Sequence, residues 1–345
     1  MARLEAQPSA QGLTSLPCPV LVADVGGTNA RFGVIEAHGG PVRRAPGTAS
    51  PGTTADRLVA DAIDALGVRP ASAVLALAGP VANWSVDLTN AGWFVDARAL
   101  AARHGWRAVV VVNDFAALAA AIPDLEATPG ALVPIGPDVP PGAGPRVILG
   151  PGTGLGASAL VAAPTGHVIV TTEAGHGSTG PWDEEDDALW PLIPRRDGRI
   201  MPEALVSGPG LLRLAVAVSR RDGVPLAFER PGDVTQSFEA GDRLAREAVR
   251  LFLKYLGRFA GDMAIVFGAN GSVAITGGVA EKLAAALHDG TLRAAFENRP
   301  PYTRRLTHVP TRFVAAPAPA FLGLAALARD PAGFGIVPGP NLWVP

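Results

Sequence analysis

Short apolar runs, each closed by Gly, Asn or Asp, alternate with stretches of helical spacing along the first third of the chain. The run Val20–Val25 reads as a buried strand, and residues 31–35 read as its hairpin partner across the turn GGTNA. Leu58, Val59, Ala62, Ile63 and Leu66 share one helical face and Gly67 follows them, which predicts a helix over 53–66. Residues 73–78 form another apolar strand closed by Gly79-Pro80, and the β-branched run 108–112 ends in Asn113-Asp114. A short helix over 115–122 is expected next, stopped by Pro123. Strands interleaved with helices predict an α/β half-domain.

The pattern changes at 134–145, a Gly- and Pro-crowded stretch that reads as a loop near a domain junction. Strands are expected at 146–149, 157–161 and 167–172, then helices near 209–220 and 242–267. A strand over 272–276, a helix over 279–287 and the segments 313–315 and 320–328 close the pattern. Residues 1–19 read as a flexible arm, and the tail 331–345 is assigned no structure. Each half opens with strand, Gly-rich turn, strand: DVGGTNARFGV first, then ILGPGTGLGASALV. This weak internal symmetry suggests two related halves facing a shared cleft.

Composition narrows the chemistry. Hydrophobic residues make up 48% of the 345 positions and charged residues 17%, enough for a sizeable core without metal or disulfide staples. A formal net charge of −2 with no basic run argues against a nucleic-acid footprint. Lys254 and Lys282 are the only lysines, and neither follows a Gly-rich turn or sits on a kinase-type strand. A P-loop and a protein-kinase fold are thereby excluded, and any nucleotide phosphates must be held another way. The single cysteine, Cys18, excludes an internal disulfide and a multi-cysteine zinc site, which fits a reduced, cytoplasmic protein. The first residues carry no apolar core of a signal peptide, and no run approaches a membrane span.

Two turns could carry phosphate chemistry. In Asp24-Val25-Gly26-Gly27-Thr28-Asn29 the paired glycines let the backbone approach an anion, and Asp24 could hold Mg²⁺ through water. An ordinary hairpin would also use Gly and Asn here. The second turn, Gly150-Pro151-Gly152-Thr153-Gly154-Leu155-Gly156, imitates a dinucleotide fingerprint with Glu173 downstream. No helix opens after it, so a dehydrogenase is disfavoured and the segment reads as a second strand–turn–strand phosphate loop. Asn113, Asp114, Glu173, His176 and Glu203 are the residue types that satisfy a ring of sugar hydroxyls. Asp114 has the chemistry of a general base for an attacking hydroxyl, or of an N-cap. Glu173 and His176 could equally be a surface ion pair, and Glu203 a helix-start acid. The acidic stretch 182–190 reads as a solvated helix.

Two such loops without a P-loop lysine resemble the actin-like (ribonuclease H-like) ATPase and sugar-kinase architecture. Within it, the ordered motifs resemble the bacterial glucokinase family of the hexokinase group. They are D-V-G-G-T-N-A-R from Asp24, Asn113-Asp114-Phe115, the loop Gly150 to Gly156, Glu173-Ala174-Gly175-His176, the E-x-x-x-S-G-P-G run from Glu203, Gly257 to Gly261, and Gly277-Gly278. The resemblance implies a two-domain α/β fold with a central cleft. Residues 20–124 plus 316–330 would form the smaller domain, and 125–315 the larger.

The resemblance further implies phosphorylation of glucose at its 6-hydroxyl by ATP with Mg²⁺, with Asp114 as base. Asn113, Asp114, Glu173, His176 and Glu203 would hold the sugar. Ala23, Asp24, Val25, Gly26, Gly27, Thr28, Asn29, Gly150, Gly152, Thr153, Gly154, Gly277 and Gly278 would hold the nucleotide, with the metal at Asp24. A homodimer is also suggested. A broader hexose kinase and a non-enzymatic sugar sensor are the alternatives, and the arm is too short for a DNA-binding helix-turn-helix. Pro151 departs from the family's small residue and removes one N–H donor, and Ala174 replaces a usual glycine. The cysteine-rich zinc motif of the related repressor/kinase (ROK) family is absent.

Overall fold

The computed structural model describes residues 13–26, 29–46, 54–88 and 93–344. These fall into two compact units. The first holds the described residues up to Ala127 with Leu160–Val170 and those from Pro317 onward, and the second holds Thr128–Ala159 and Thr171–Ala316. Residues 160–170, which the sequence groups with the larger domain, therefore go with the first unit.

The first sheet runs in the order Arg43–Arg44, Ala30–Ile35, Val20–Val25, Ser72–Leu77, Val109–Asn113, Leu342–Trp343. Val20–Val25 is antiparallel to Ala30–Ile35 and parallel to Ser72–Leu77, which is parallel to Val109–Asn113. Its central strands are apolar at nearly every position because both faces are covered. Leu21, Ala23 and Val25 pack with Leu58 and Leu66 of helix Ala55–Leu66, while Val20 and Val22 pack with Ala117, Phe321 and Leu324 on the opposite face. Helix Ala55–Leu66 starts where the Thr54 side chain accepts the Arg57 N–H and stops at left-handed Gly67.

The second sheet runs Gly166–Thr172, Leu155–Ala163, Arg146–Pro151, Ser272–Ile275, Thr311–Val314, Leu132–Pro134. Leaving aside the short antiparallel strand at one edge, Leu342–Trp343 in the first sheet and Leu132–Pro134 in the second, the other five strands numbered in chain order run 3-2-1-4-5 in both sheets. The duplication hinted at by the two Gly-rich turns is thus realised in both sheets. The core of the second unit gathers around helix Arg243–Val266, whose Ala245, Val249, Phe252, Leu256 and Phe259 are buried with Leu211, Leu214 and Val218 of Gly208–Asp222. Among the described residues, no helix is long and apolar enough to cross a membrane.

Several expectations are corrected. Pro123 does not end the helical region: Asp114–Ala120 gives way to a second helix, Ile122–Ala127, in whose first turn a proline needs no N–H partner. The tail contains strand Leu342–Trp343, paired with Val109 and Val110, and Trp84 Nε1 donates to Gly339 O at 2.6 Å. The described end of the arm is docked: Leu16 is buried and its N–H donates to Ala328 O at 2.9 Å.

The acidic stretch forms a helix with Asp183, Glu184 and Asp187 exposed, as expected, but one of its acids is not solvated. The helix is Glu184–Leu189, and its Asp186 is 0% exposed. Asp186 accepts from Lys254 at 3.0 Å, the Tyr255 hydroxyl at 3.0 Å, the Trp182 N–H at 2.8 Å, and Arg258. Lys254 and Arg258 lie one turn apart on helix Arg243–Val266, so one face of that helix supplies both cations. Strands Ser85–Leu88 and Trp93–Asp96 and helix Ala97–His104 are additional to the elements expected.

Candidate active site

In the first unit, Asp24 stands near the end of its strand, directly opposite Arg31 in the antiparallel register. Arg31 Nη1 lies 3.8 Å from Asp24 Oδ2. Burial pushes the Asp24 carboxyl above its ordinary range, and the Arg31 charge opposes that rise. The Gly26 N–H donates to Asn29 O at 2.9 Å and closes the turn, so this donor serves the hairpin first. Gly27 and Thr28 lie outside the described residues. Ala23 and Val25 are buried in the core, which leaves only their backbone for a ligand.

Strand Val109–Asn113 ends where helix Asp114–Ala120 begins. Asn113, rather than Asp114, is the N-cap. Its Oδ1 accepts the Phe115 N–H at 2.9 Å and its Nδ2 donates to Gly79 O at 3.2 Å. Asp114 is the first helical residue, with Oδ1 3.0 Å from the same Phe115 nitrogen. The helix start therefore fixes the Asp114 backbone at the carboxyl end of a parallel strand, the edge where α/β proteins bind ligands.

In the second unit, three of the sugar-type residues come together. His176 Nε2 lies 3.9 Å from Glu173 Oε2 and 3.9 Å from Glu203 Oε2. Glu173 and His176 leave the 3-10 turn Ala174–His176 and its preceding residue, and their side chains are exposed. Glu203, in the first turn of Pro202–Leu205, is more enclosed. The Gly-rich turn lies against the same group, since Glu203 Oε2 accepts the Leu155 N–H at 3.0 Å. The Gly152 N–H donates to Gly154 O at 2.8 Å, and Gly152 O accepts the Gly208 N–H at 2.8 Å. Thr153 is exposed beside them.

The late Gly-Gly turn packs on this loop. Gly277 has φ 97° and would place a Cβ 2.6 Å from Pro151 O, and a Cβ on Gly150 would stand 2.5 Å from Thr276 O. Gly278 is exposed and opens helix Gly278–Lys282. Asp183, Glu185 and Asp186, whose carboxylates are close enough to share a cation, already surround the Lys254 ammonium at 2.6–3.0 Å. That group is a salt-bridge network rather than a metal centre.

A model of the family described as glucokinase matches residues 21–331. The chain belongs to the glucokinase family. A glucokinase of Mesorhizobium japonicum is 41% identical over 334 residues, covering 96% of this chain and 97% of the relative. One from Chelativorans is 39% identical over 331 residues, covering 95% of this chain and 96% of the relative. A solved glucokinase structure from an Antarctic psychrotroph superposes with a TM-score of 0.78 at 27% identity, covering 90% of this chain and 98% of that one. The family that the ordered motifs resemble is thus the family found, and the two-sheet α/β architecture is that of its sugar kinases.

Three participants had no individual signal in the sequence. Leu155 and Gly208 act through backbone atoms, which a motif does not display. Arg31 stands in the first family motif, but its relation to Asp24 needs the strand register.

Proposed function

We propose that the chain transfers the γ-phosphoryl group of ATP to the 6-hydroxyl of glucose, with Asp114 as general base. The observation that carries this reading is Asp114 at a strand–helix junction inside the Asn113-Asp114-Phe115 motif of a glucokinase-family chain. The Asp114 carboxylate takes the hydroxyl proton as the sugar oxygen attacks phosphorus. The new O–P bond forms as the bond to the β-phosphate oxygen breaks, leaving glucose 6-phosphate and ADP. Asn113 holds the helix start, so the base does not drift between turnovers.

Glu173, His176 and Glu203 offer acceptors and a ring nitrogen to the other sugar hydroxyls. The loop Gly150, Gly152, Thr153 and Gly154, the turn Gly277-Gly278, and Asp24, Gly26 and Asn29 take the nucleotide. Asp24 fits Mg²⁺: it offers hard carboxylate oxygens, 20% exposed, at a strand end beside the turn. Bound there through water, the ion would supply charge neutralisation to the transferring phosphoryl group. The same reading takes the protein as a cytoplasmic homodimer, which sedimentation velocity tests.

Asp114→Asn is the decisive variant. It keeps shape and a hydrogen-bonding oxygen but removes the base, so kcat should fall by about 10²–10⁴-fold. Glucose affinity by calorimetry should stay near that of the unmodified protein. A kcat like that of the unmodified enzyme would remove Asp114 from the mechanism.

A further inference from the structure

The Leu155 peptide lies between the sugar-type residues and the Gly-rich turn, held on both sides. Its N–H donates to Glu203 Oε2 at 3.0 Å. Its carbonyl oxygen packs against Gly175, where a Cβ would stand only 2.3 Å away. The Glu203 carboxylate also lies over Gly154, where a Cβ would come within 2.6 Å of Oε2. The same Oε2 faces His176 Nε2 at 3.9 Å.

The chain after Glu203 grips the loop a second time. Ser207 Oγ donates to Glu203 O at 2.8 Å and accepts the Gly210 N–H at 3.0 Å. This fixes the short helix Pro202–Leu205 to the start of helix Gly208–Asp222. The next residue, Gly208, donates its N–H to Gly152 O at 2.8 Å. The loop 152–155 is therefore clamped at one end by a side chain and at the other by a backbone group, both from the segment 203–208.

We propose that Glu203 is a positioning residue for the nucleotide loop as well as a sugar acceptor, so that sugar and nucleotide affinities are coupled through the Glu203–Leu155 hydrogen bond. This rests on the glucokinase reading above, and deepens it. One carboxylate oxygen is committed to Leu155, which leaves the other oxygen as the principal acceptor for a sugar hydroxyl. A sugar that draws on that carboxylate changes the strength of the Leu155 bond, and with it the set of the loop. By linkage, nucleotide binding must then alter sugar affinity by the same factor as sugar alters nucleotide affinity.

The test uses glucose and a non-hydrolysable ATP analogue, each titrated alone by calorimetry, together with amide hydrogen exchange over 152–156. Glu203→Ala should raise the Kd of the analogue by about fivefold or more in the absence of glucose. It should also accelerate exchange at Leu155. Glu203→Gln keeps an amide oxygen for the Leu155 N–H, so exchange protection should persist while glucose affinity falls. Gly154→Ala should weaken glucose binding in the absence of nucleotide, because its Cβ displaces the Glu203 carboxylate.

A Glu203→Ala protein with unchanged analogue affinity and unchanged Leu155 exchange overturns the proposal and leaves the glucokinase reading standing. An unmodified protein that binds no ATP analogue overturns both. Should Glu203→Ala not fold, Glu203→Gln and Gly154→Ala still decide: rapid Leu155 exchange in the first, or normal glucose affinity in the second, refutes the coupling.

Discussion

Replacing Gly277 by alanine strains the second unit in two ways. The backbone there, at φ 97° and ψ 151°, lies in a region essentially confined to glycine. Holding another residue in it costs about 1–3 kcal/mol. The new Cβ would also stand 2.6 Å from Pro151 O and 3.2 Å from Gly150 C. Overpacking of this kind costs a further 1–3 kcal/mol or so. Neither strand can withdraw cheaply. Ser272–Ile275 and Arg146–Pro151 are hydrogen-bonded parallel neighbours, and the Thr276 N–H continues the ladder to Leu149 O at 2.9 Å. We therefore expect a loss of roughly 2–6 kcal/mol, read by chemical denaturation, together with a raised Kd for nucleotide. Gly150→Ala forces the same contact apart from the other side, with its Cβ 2.5 Å from Thr276 O. Once one alanine has spread the strands, the second finds room. The double variant should then be less destabilised than the sum, by about 0.5–3 kcal/mol. Single variants within about 0.5 kcal/mol of the unmodified protein, or strict additivity, would refute the close packing of the two turns.

Asp186→Asn should destabilise the second unit by about 3–5 kcal/mol, because Lys254 and Arg258 lose a buried counter-charge, and a thermal melt that does not move would show that the network contributes nothing. Burial alone would raise the Asp183 carboxyl, but hydrogen bonds from Lys254 and the Asp186 N–H, with the charges of Lys254 and Arg258, hold it at about 2. A folded value below the unfolded one gives stability that is complete above about pH 4 and lost as pH falls toward 2. Asp183→Asn should therefore lose less stability than the unmodified protein between pH 4 and pH 2.5, and parallel pH profiles would sink that assignment.

The parts of the fold that local pattern could reveal are those whose partners are close in sequence or whose environment is uniform. Val20–Ala23 and Ala73–Leu77 are buried on both faces, so a short apolar run is a sufficient signal. Helix Ala55–Leu66 carries its own cap and its own stop. The acidic helix Glu184–Leu189 also carries its own cap, Asp183, but nothing local marks the burial of one of its acids. Its Asp186 is buried because Lys254 and Arg258 meet it from 68 and 72 residues away, and nothing near Asp186 in sequence announces them. Strand Leu342–Trp343 has no local signal for a related reason. It is short, sits among Pro and Gly, and forms the edge of the first sheet against Val109–Asn113, more than 200 residues earlier in the chain. Pro123 misled because a proline that stops one helix is equally at home in the first turn of the next.

The candidate site was legible as a set of residue types, but a second use of its glycines, close packing of one segment on another, was not. Paired glycines suggested room for phosphate oxygens. In the structure a Cβ at Gly152 or Gly278 would meet nothing within 4 Å, whereas Gly154 lies under the Glu203 carboxylate, Gly175 against Leu155 O, and Gly277 against Pro151 O. Two of the backbone donors expected to face an anion are already engaged, Gly26 by Asn29 O and Gly152 by Gly154 O. Gly150, Gly154, Gly175 and Gly277 thus let segments distant in sequence touch, while Gly152 and Gly278 stay open. This explains why the motifs appear as an ordered set and why any one of them is weak. A single glycine turn needs only its own few residues, whereas the loop 150–156 needs Gly175, Glu203, Gly208 and Gly277 in register with it. Sequence order alone records that dependence, and the backbone contacts give it a physical cause.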